Sequence, residues 1–168
     1  NLAWPGDAQS SPSGGAGTSA PLVTLQDYCN KLVQNDYLKP GDLQKILTAP
    51  SANCTVTYDT TASSPTVTLG GKSALKVYKV TGNDASNTLF AVTANYTYDK
   101  PLNTTDVPYG DKGFVVMRKG GDASVFRKNQ ATDTNTGGDI TKFQNFMGVL
   151  TGAKTSESAD MVLTNPQG

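Results

Sequence analysis

The sequence contains no histidine, and this absence excludes several common kinds of active site. A Ser-His-Asp triad and a Cys-His pair both need an imidazole as general base, and haem iron and many zinc ions are bound through histidine. Glu157 is the only glutamate, so paired catalytic carboxylates would have to be aspartates. Most aspartates stand beside Gly, Asn or Thr in turn-like segments, where the carboxylate commonly bonds the local backbone. We therefore predict that the protein is not an enzyme.

Net charge is also absent, because 14 basic and 14 acidic residues cancel. Proteins that bind nucleic acid concentrate Lys and Arg against the phosphates, and no such basic stripe is visible, so we predict no nucleic-acid partner. Charged residues make up 17% of the chain, against about 25% in an average soluble domain. Thr, Ser, Asn and Gly take their place, as in many secreted proteins. We predict an extracellular, cell-surface or periplasmic location.

The chain has only two cysteines, Cys29 and Cys54. Two cysteines cannot complete a four-ligand structural zinc site by themselves. Outside the reducing cytoplasm, an even number of cysteines favours a disulfide, which would contribute about 3 kcal/mol by the loop-entropy model. We predict a Cys29–Cys54 disulfide. The alternative is a pair of buried thiols in a reduced protein.

The length of the chain and its composition predict one domain with two irregular ends. Residues 1–20 form an arm rich in Gly, Ser and Pro, and its one large apolar side chain is Trp4. We predict that Trp4 is buried, because an ordered arm needs an anchor to offset its conformational entropy. Residues 21–150 carry the regular patterns of a globular domain, and residues 151–168 form a weakly patterned C-terminal tail.

The globular segment begins with the spacing of helices. Apolar residues recur every three or four positions after Thr24, which is a good N-cap, and this helix should end by Asp36 because Pro40 follows. Asp42 is placed to cap a second short helix that ends before Pro50. Two short helices joined by a Pro-Gly turn are therefore predicted.

Alternation of β-branched and polar residues then takes over. It predicts strands at 54–58, 65–69, 74–80, 88–98, 113–119 and 123–128. One more short helix is predicted at 139–150. We predict an α+β fold in which the N-terminal helices pack on an antiparallel β-meander of four to six strands, followed by a loop-rich C-terminus.

One loop has the composition of a cation site. The segment DTNTGGD at 133–139 places oxygen-bearing side chains at Asp133, Asn135 and Asp139, and its two glycines let backbone carbonyls turn inward. Calcium prefers such oxygen ligands. From the residue types alone, a solvated loop rich in Asn and Asp is the alternative.

Three short motifs resemble the headgroup of type IV pilin-like proteins, and of the major pseudopilins of type II secretion systems in particular. They are DVPYG at 106–110, GGD at 120–122 and GGDI at 137–140, and the resemblance covers about residues 21–145. The turn has Tyr109 where the family carries tryptophan. The family's long hydrophobic N-terminal helix is absent from this sequence, so we expect any membrane contact to be made only through such a missing helix.

The resemblance implies a function and a cofactor. It implies a structural subunit that assembles with copies of itself, and with other pilin-like subunits, into an extracellular filament or a bacterial secretion pseudopilus. It also implies calcium in the C-terminal loop, with Asp133, Asn135 and Asp139 as ligands and Asp122 as a weaker candidate. The alternative function is a secreted or cell-surface binding module, such as an adhesin or carbohydrate-binding domain, although one tryptophan offers little for stacking on sugars.

Overall fold

The computed structural model describes residues 2–9, 20–61 and 63–166. The first helix, α1 (Leu25–Gln34), begins where predicted, because the Thr24 side chain accepts a hydrogen bond from the Asp27 N–H while the Asp27 carboxylate accepts one from the Thr24 N–H. This reciprocal pair satisfies two N–H groups that a helix start leaves open. The second helix, α2 (Pro40–Leu47), begins two residues before the predicted cap. Its N-cap is Lys39 rather than Asp42, with proline in the first turn.

The strands form two antiparallel sheets. The first is a hairpin of β1 (Cys54–Asp59) and β2 (Thr66–Gly71). The second has the order β3-β4-β5-β6, with β3 (Leu75–Val77), β4 (Leu89–Thr93), β5 (Gly113–Arg118) and β6 (Ala123–Arg127). The described residues thus combine antiparallel sheets with three α-helices, the last being α3 (Ile140–Met147).

The two N-terminal helices lie against the hairpin, where the sequence predicted one continuous meander beneath them. Side chains of α1 close the outer edge of β2. Asn30 accepts from the Val67 N–H at 2.7 Å and donates to the Val67 carbonyl at 3.1 Å, and Gln26 accepts from the Leu69 N–H at 2.9 Å. Alternation alone cannot assign strands to one sheet or two, because the pairing depends on contacts distant in sequence.

Buried apolar residues form two clusters. The α3 cluster joins α3 and the loops to the four-stranded sheet through Tyr78, Val80, Leu89, Val92, Tyr96, Tyr98, Leu102, Phe114, Val116, Phe126, Ala131, Phe143, Met147, Leu150 and Met161. The α1 cluster joins α1, α2 and the hairpin to that sheet through Leu22, Leu25, Cys29, Leu43, Leu47, Cys54, Val67, Leu69, Val77, Ala91 and Leu163. The four-stranded sheet therefore contributes to both clusters.

The C-terminal tail contains two short 3-10 helices, Thr151–Ala153 and Ala159–Met161, and is otherwise irregular over its described residues. It nevertheless belongs to the core, because Met161 and Leu163 are buried. The Leu163 N–H donates to the Val77 carbonyl at 2.9 Å, and the Lys79 N–H donates to the Met161 carbonyl at 2.8 Å. The tail thereby covers the free edge of β3.

Candidate functional site

A group of charged and polar side chains surrounds Glu157. One carboxylate oxygen accepts a hydrogen bond from the Lys76 ammonium at 2.6 Å. The other accepts from the Tyr78 hydroxyl at 2.6 Å and from the Tyr98 N–H at 3.0 Å. Lys76 also donates to the Tyr96 carbonyl at 2.6 Å. The only glutamate of the chain thus joins the tail to β3 and to the loop after β4.

This Glu157 centre is a structural anchor. Tyr78 is fully buried, and this burial, reinforced by the negative charge of Glu157, raises the pKa of the phenol well above its ordinary value. The phenol therefore stays protonated and donates its hydrogen bond at neutral pH. No role for Glu157 could be predicted from the sequence, because the tail has no periodic pattern. The only available signal was that it is the sole glutamate.

Asp84 forms a second anchor for the tail. Its carboxylate accepts from the Thr81 N–H at 2.8 Å, the Thr151 hydroxyl at 2.6 Å and the Gly152 N–H at 2.9 Å. Burial tends to raise the pKa of Asp84, but the hydrogen bonds outweigh it and the pKa is lowered. Lys119 completes the site by donating to the Asp84 carbonyl at 2.6 Å.

The predicted calcium loop is folded around hydrogen bonds of its own. The Asp133 carbonyl accepts from the Gly138 N–H at 2.9 Å and from the Thr136 hydroxyl at 2.8 Å. The Asp139 carboxylate is the N-cap of α3, where it accepts from the Thr141 N–H at 3.0 Å and the Lys142 N–H at 3.1 Å. The hydrogen bond from the Lys142 N–H is also the largest of the effects that lower the pKa of Asp139.

The four predicted calcium ligands do not form one ready site. Asp122 lies on the turn between β5 and β6, where it binds the Arg118 guanidinium at 2.5 Å. Asp133 and Asn135 belong to a 3-10 helix, and Asp139 caps the next helix. Within the described ranges, no three acidic, His or Cys side chains are grouped to share a metal ion. The arrangement does not fit a preformed calcium site, and calcium binding stays a prediction of the sequence.

Cys29 and Cys54 are free thiols in the structure, and both are buried in the α1 cluster. The structure therefore does not contain the predicted bond, although it brings the two residues into one cluster. Burial, and to a lesser extent Cys54, raises the pKa of Cys29 to about 12, and burial also raises the pKa of Cys54. The thiolate is the species that reacts, and burial disfavours it. Oxidation would therefore occur more readily before the protein folds and buries the two thiols.

Trp4 is half-buried and packs against the α3 cluster. Its ring meets the Phe90 ring edge-on, with 5.9 Å between centroids, and the Lys119 ammonium lies 5.2 Å from its centre. Two hydrogen bonds continue the docking: the Gly6 N–H donates to the Val80 carbonyl at 2.8 Å, and the Asp7 carboxylate accepts from the Gly82 N–H at 2.8 Å. Residues 2–9 of the arm are therefore fastened to the domain, and residues 10–19 lie outside the described part.

Comparison with known proteins identifies no relative. No protein-family model, curated protein or solved structure matches the chain. Among the residues that the structure describes, no helix is both long and apolar enough to span a membrane.

Proposed function

We propose that this protein is a structural subunit, the headgroup of a pilin-like or pseudopilin-like filament outside the bacterial cytoplasm. The observation that carries the proposal concerns the partners of three charged side chains. The hydrogen bonds of Lys76, Glu157 and Asp84 fasten the tail and loops to the sheet. A subunit that works by assembly needs such fixed surfaces, whereas an enzyme would direct some of these groups toward a substrate.

The order of elements gives further support. Two helices are followed by antiparallel strands and then by a C-terminal segment of loops, short 3-10 helices and α3. This order agrees with the headgroup that the motifs at 106–110, 120–122 and 137–140 resemble. The proposed partners are copies of this chain and other pilin-like subunits, and the proposed location is the periplasm or the cell surface. Membrane contact would be made through a hydrophobic helix outside this sequence.

The coding sequence upstream of Asn1 tests this proposal. The expected result is a short basic leader followed by a long hydrophobic segment that continues into the headgroup. An upstream sequence that encodes only a cleaved secretion signal, or a separate folded domain, would contradict it. Filaments purified from the source cells should also contain the chain, as detected with an antibody against the headgroup.

The alternative, a secreted binding module, has support in a few exposed aromatic rings. Tyr37 and Tyr58 are 56% and 44% exposed, and tyrosine faces can stack on sugars. Trp4 is not available in this way, because it packs against Phe90. A glycan array on the purified domain distinguishes the two functions. Binding to a defined glycan that is lost in both Tyr37→Ala and Tyr58→Ala would favour the binding module.

A further inference from the structure

One edge of the four-stranded sheet is open. At the other edge, the tail covers β3 through the hydrogen bonds of Val77 and Lys79. Strand β6 pairs with β5 on one side, and none of the described strands pairs with its other side. Exposed edges of this kind are where an additional strand can join a sheet.

The hairpin geometry identifies which backbone groups β6 presents. The Arg118 N–H donates to the Asp122 carbonyl at 2.8 Å, so this pair is a hydrogen-bonded one. Bonded and non-bonded pairs alternate along an antiparallel ladder. The N–H and carbonyl groups of Ala123 and Val125 therefore point away from β5. Arg127 also faces outward, but its N–H is already bonded to the Gln130 side chain at 2.8 Å.

The side chains beside this edge form an uncovered apolar face. One row across the sheet runs Val77, Ala91, Met117, Ala123. Its first two members are buried under the α1 cluster at 5% exposure each, whereas Met117 is 36% exposed. Val125, on the same face of β6, is 79% exposed. The α1 cluster therefore covers only half of this face.

We propose that two copies of this chain pair through β6. The strands run antiparallel with Val125 opposite Val125 of the second copy, and the two sheets join into one of eight strands. The backbone N–H of Val125 in each copy then donates to the Val125 carbonyl of the other copy across the twofold axis. In this register the exposed Arg127 faces the small Ala123 of the other copy. Lys128 comes opposite Asp122 of the other copy, although each is also paired within its own chain, Lys128 with Asp111 at 2.6 Å and Asp122 with Arg118 at 2.5 Å. The register therefore sets no like charges directly opposite each other.

This dimer goes beyond the proposed function and does not depend on it. A twofold contact is self-complementary and closes after two copies, so it cannot by itself extend a filament. It would link two free headgroups or headgroups of neighbouring filaments. Because the edge is short, we expect weak association, with a dissociation constant of about 10⁻⁵ to 10⁻³ M.

Sedimentation velocity over a concentration series tests the contact. Wild type should move from monomer toward dimer as its concentration rises to about 1 mM. Val125→Lys places two like charges on the axis and should weaken association about tenfold or more. The exposed Val125 side chain is not needed by the core, so an unchanged thermal midpoint should confirm that this variant is folded. Ile46→Lys, the same kind of substitution at a 46% exposed apolar residue of α2, should leave association unchanged.

Substitutions of Ala123, which is exposed and faces Arg127 of the other copy in this register, test the register. Ala123→Lys should weaken the dimer by placing two basic residues opposite each other. Ala123→Glu, the matched variant of opposite charge, should strengthen it. A wild type that stays monomeric at about 1 mM would overturn the proposal, as would a dimer that Val125→Lys leaves intact. Equal effects of Ala123→Lys and Ala123→Glu on association would overturn the register.

Discussion

The Glu157 carboxylate accepts a hydrogen bond from the Tyr78 hydroxyl at 2.6 Å, across 79 positions of sequence. The same carboxylate holds the Lys76 ammonium at 2.6 Å, and the two side chains are only 9% and 13% exposed. An ion pair that is largely withdrawn from water is costly to break by removing one partner, because the other charge is left without compensation. Glu157 should therefore contribute strongly to the attachment of the tail.

Replacement of Glu157 by glutamine should lower the free energy of unfolding by about 3 kcal/mol, because the Lys76 ammonium loses its largely buried counterion. Urea denaturation followed by circular dichroism measures the change. Asp42→Asn is the matched control, since Asp42 pairs with Lys45 at the exposed surface and should contribute less than about 1 kcal/mol. Equal effects of the two substitutions would show that the Glu157 centre is not an anchor.

Asp84 should make stability depend on acid pH. Its pKa is lowered in the folded protein, so its contribution is present above the unfolded pKa of about 3.9 and is lost as the pH falls through the folded value. Asp84→Asn should cost about 2 kcal/mol at pH 7. This difference should shrink below about pH 4. Urea unfolding from pH 7 downward measures it, and a difference that stays constant with pH would contradict the assignment.

The state of Cys29 and Cys54 should be visible at alkaline pH. The pKa of a free Cys29 thiol is raised to about 12 in the folded protein, whereas in the unfolded chain it is about 8.5. The contribution of this thiol to the free energy of unfolding is therefore intact below about pH 8.5 and is lost as the pH rises toward 12. A disulfide has no such proton. If the predicted disulfide forms, the thermal midpoint should stay level between about pH 8.5 and 10, where tyrosines begin to ionise in the unfolded chain. Alkylation of the unreduced, denatured protein should then label neither cysteine, and two labelled thiols would refute the prediction.

The calcium hypothesis predicts a higher thermal midpoint in calcium of about 1–5 mM than in chelator, because a ligand bound only by the folded state stabilises it by mass action. Asp133→Ala should abolish the difference. Asp122→Ala should keep it, since Asp122 lies on the β5–β6 turn and pairs with Arg118. Equal midpoints of wild type in calcium and chelator would leave 133–139 as a self-bonded loop.

Trp4 should stabilise the domain as well as the arm. Trp4→Ala removes the edge contact with Phe90 and the contact with Lys119, and should cost about 2 kcal/mol for a half-buried ring. Its fluorescence in the native protein should lie to the blue of the denatured protein. Tyr37→Ala is a suitable control, because Tyr37 is 56% exposed and its loss should matter little. A native emission typical of solvated indole would contradict the docking of the arm.

Much of the local structure could be predicted from the sequence, because it depends on neighbours within a few positions. Thr24 caps α1 through a residue three positions away. The Gly-rich turn before β6 likewise depends on adjacent glycines, with Gly121 in the left-handed region at φ 95°. Alternation also placed all six strands near their observed positions. Their ends were less well predicted: β4 ends at Thr93, although the alternating pattern continues to residue 98.

The tertiary structure alone decided which side chains matter. Glu157, for which no role was predicted from the sequence, holds Lys76, Tyr78 and the tail together. Such roles arise between residues brought together across 79 or 81 positions, and no periodicity or spacing records them. The open edge of β6 has the same origin. Every strand sequence here can pair on two sides, and only the packing of α1 and of the tail determines that β2 and β3 are covered while β6 is not.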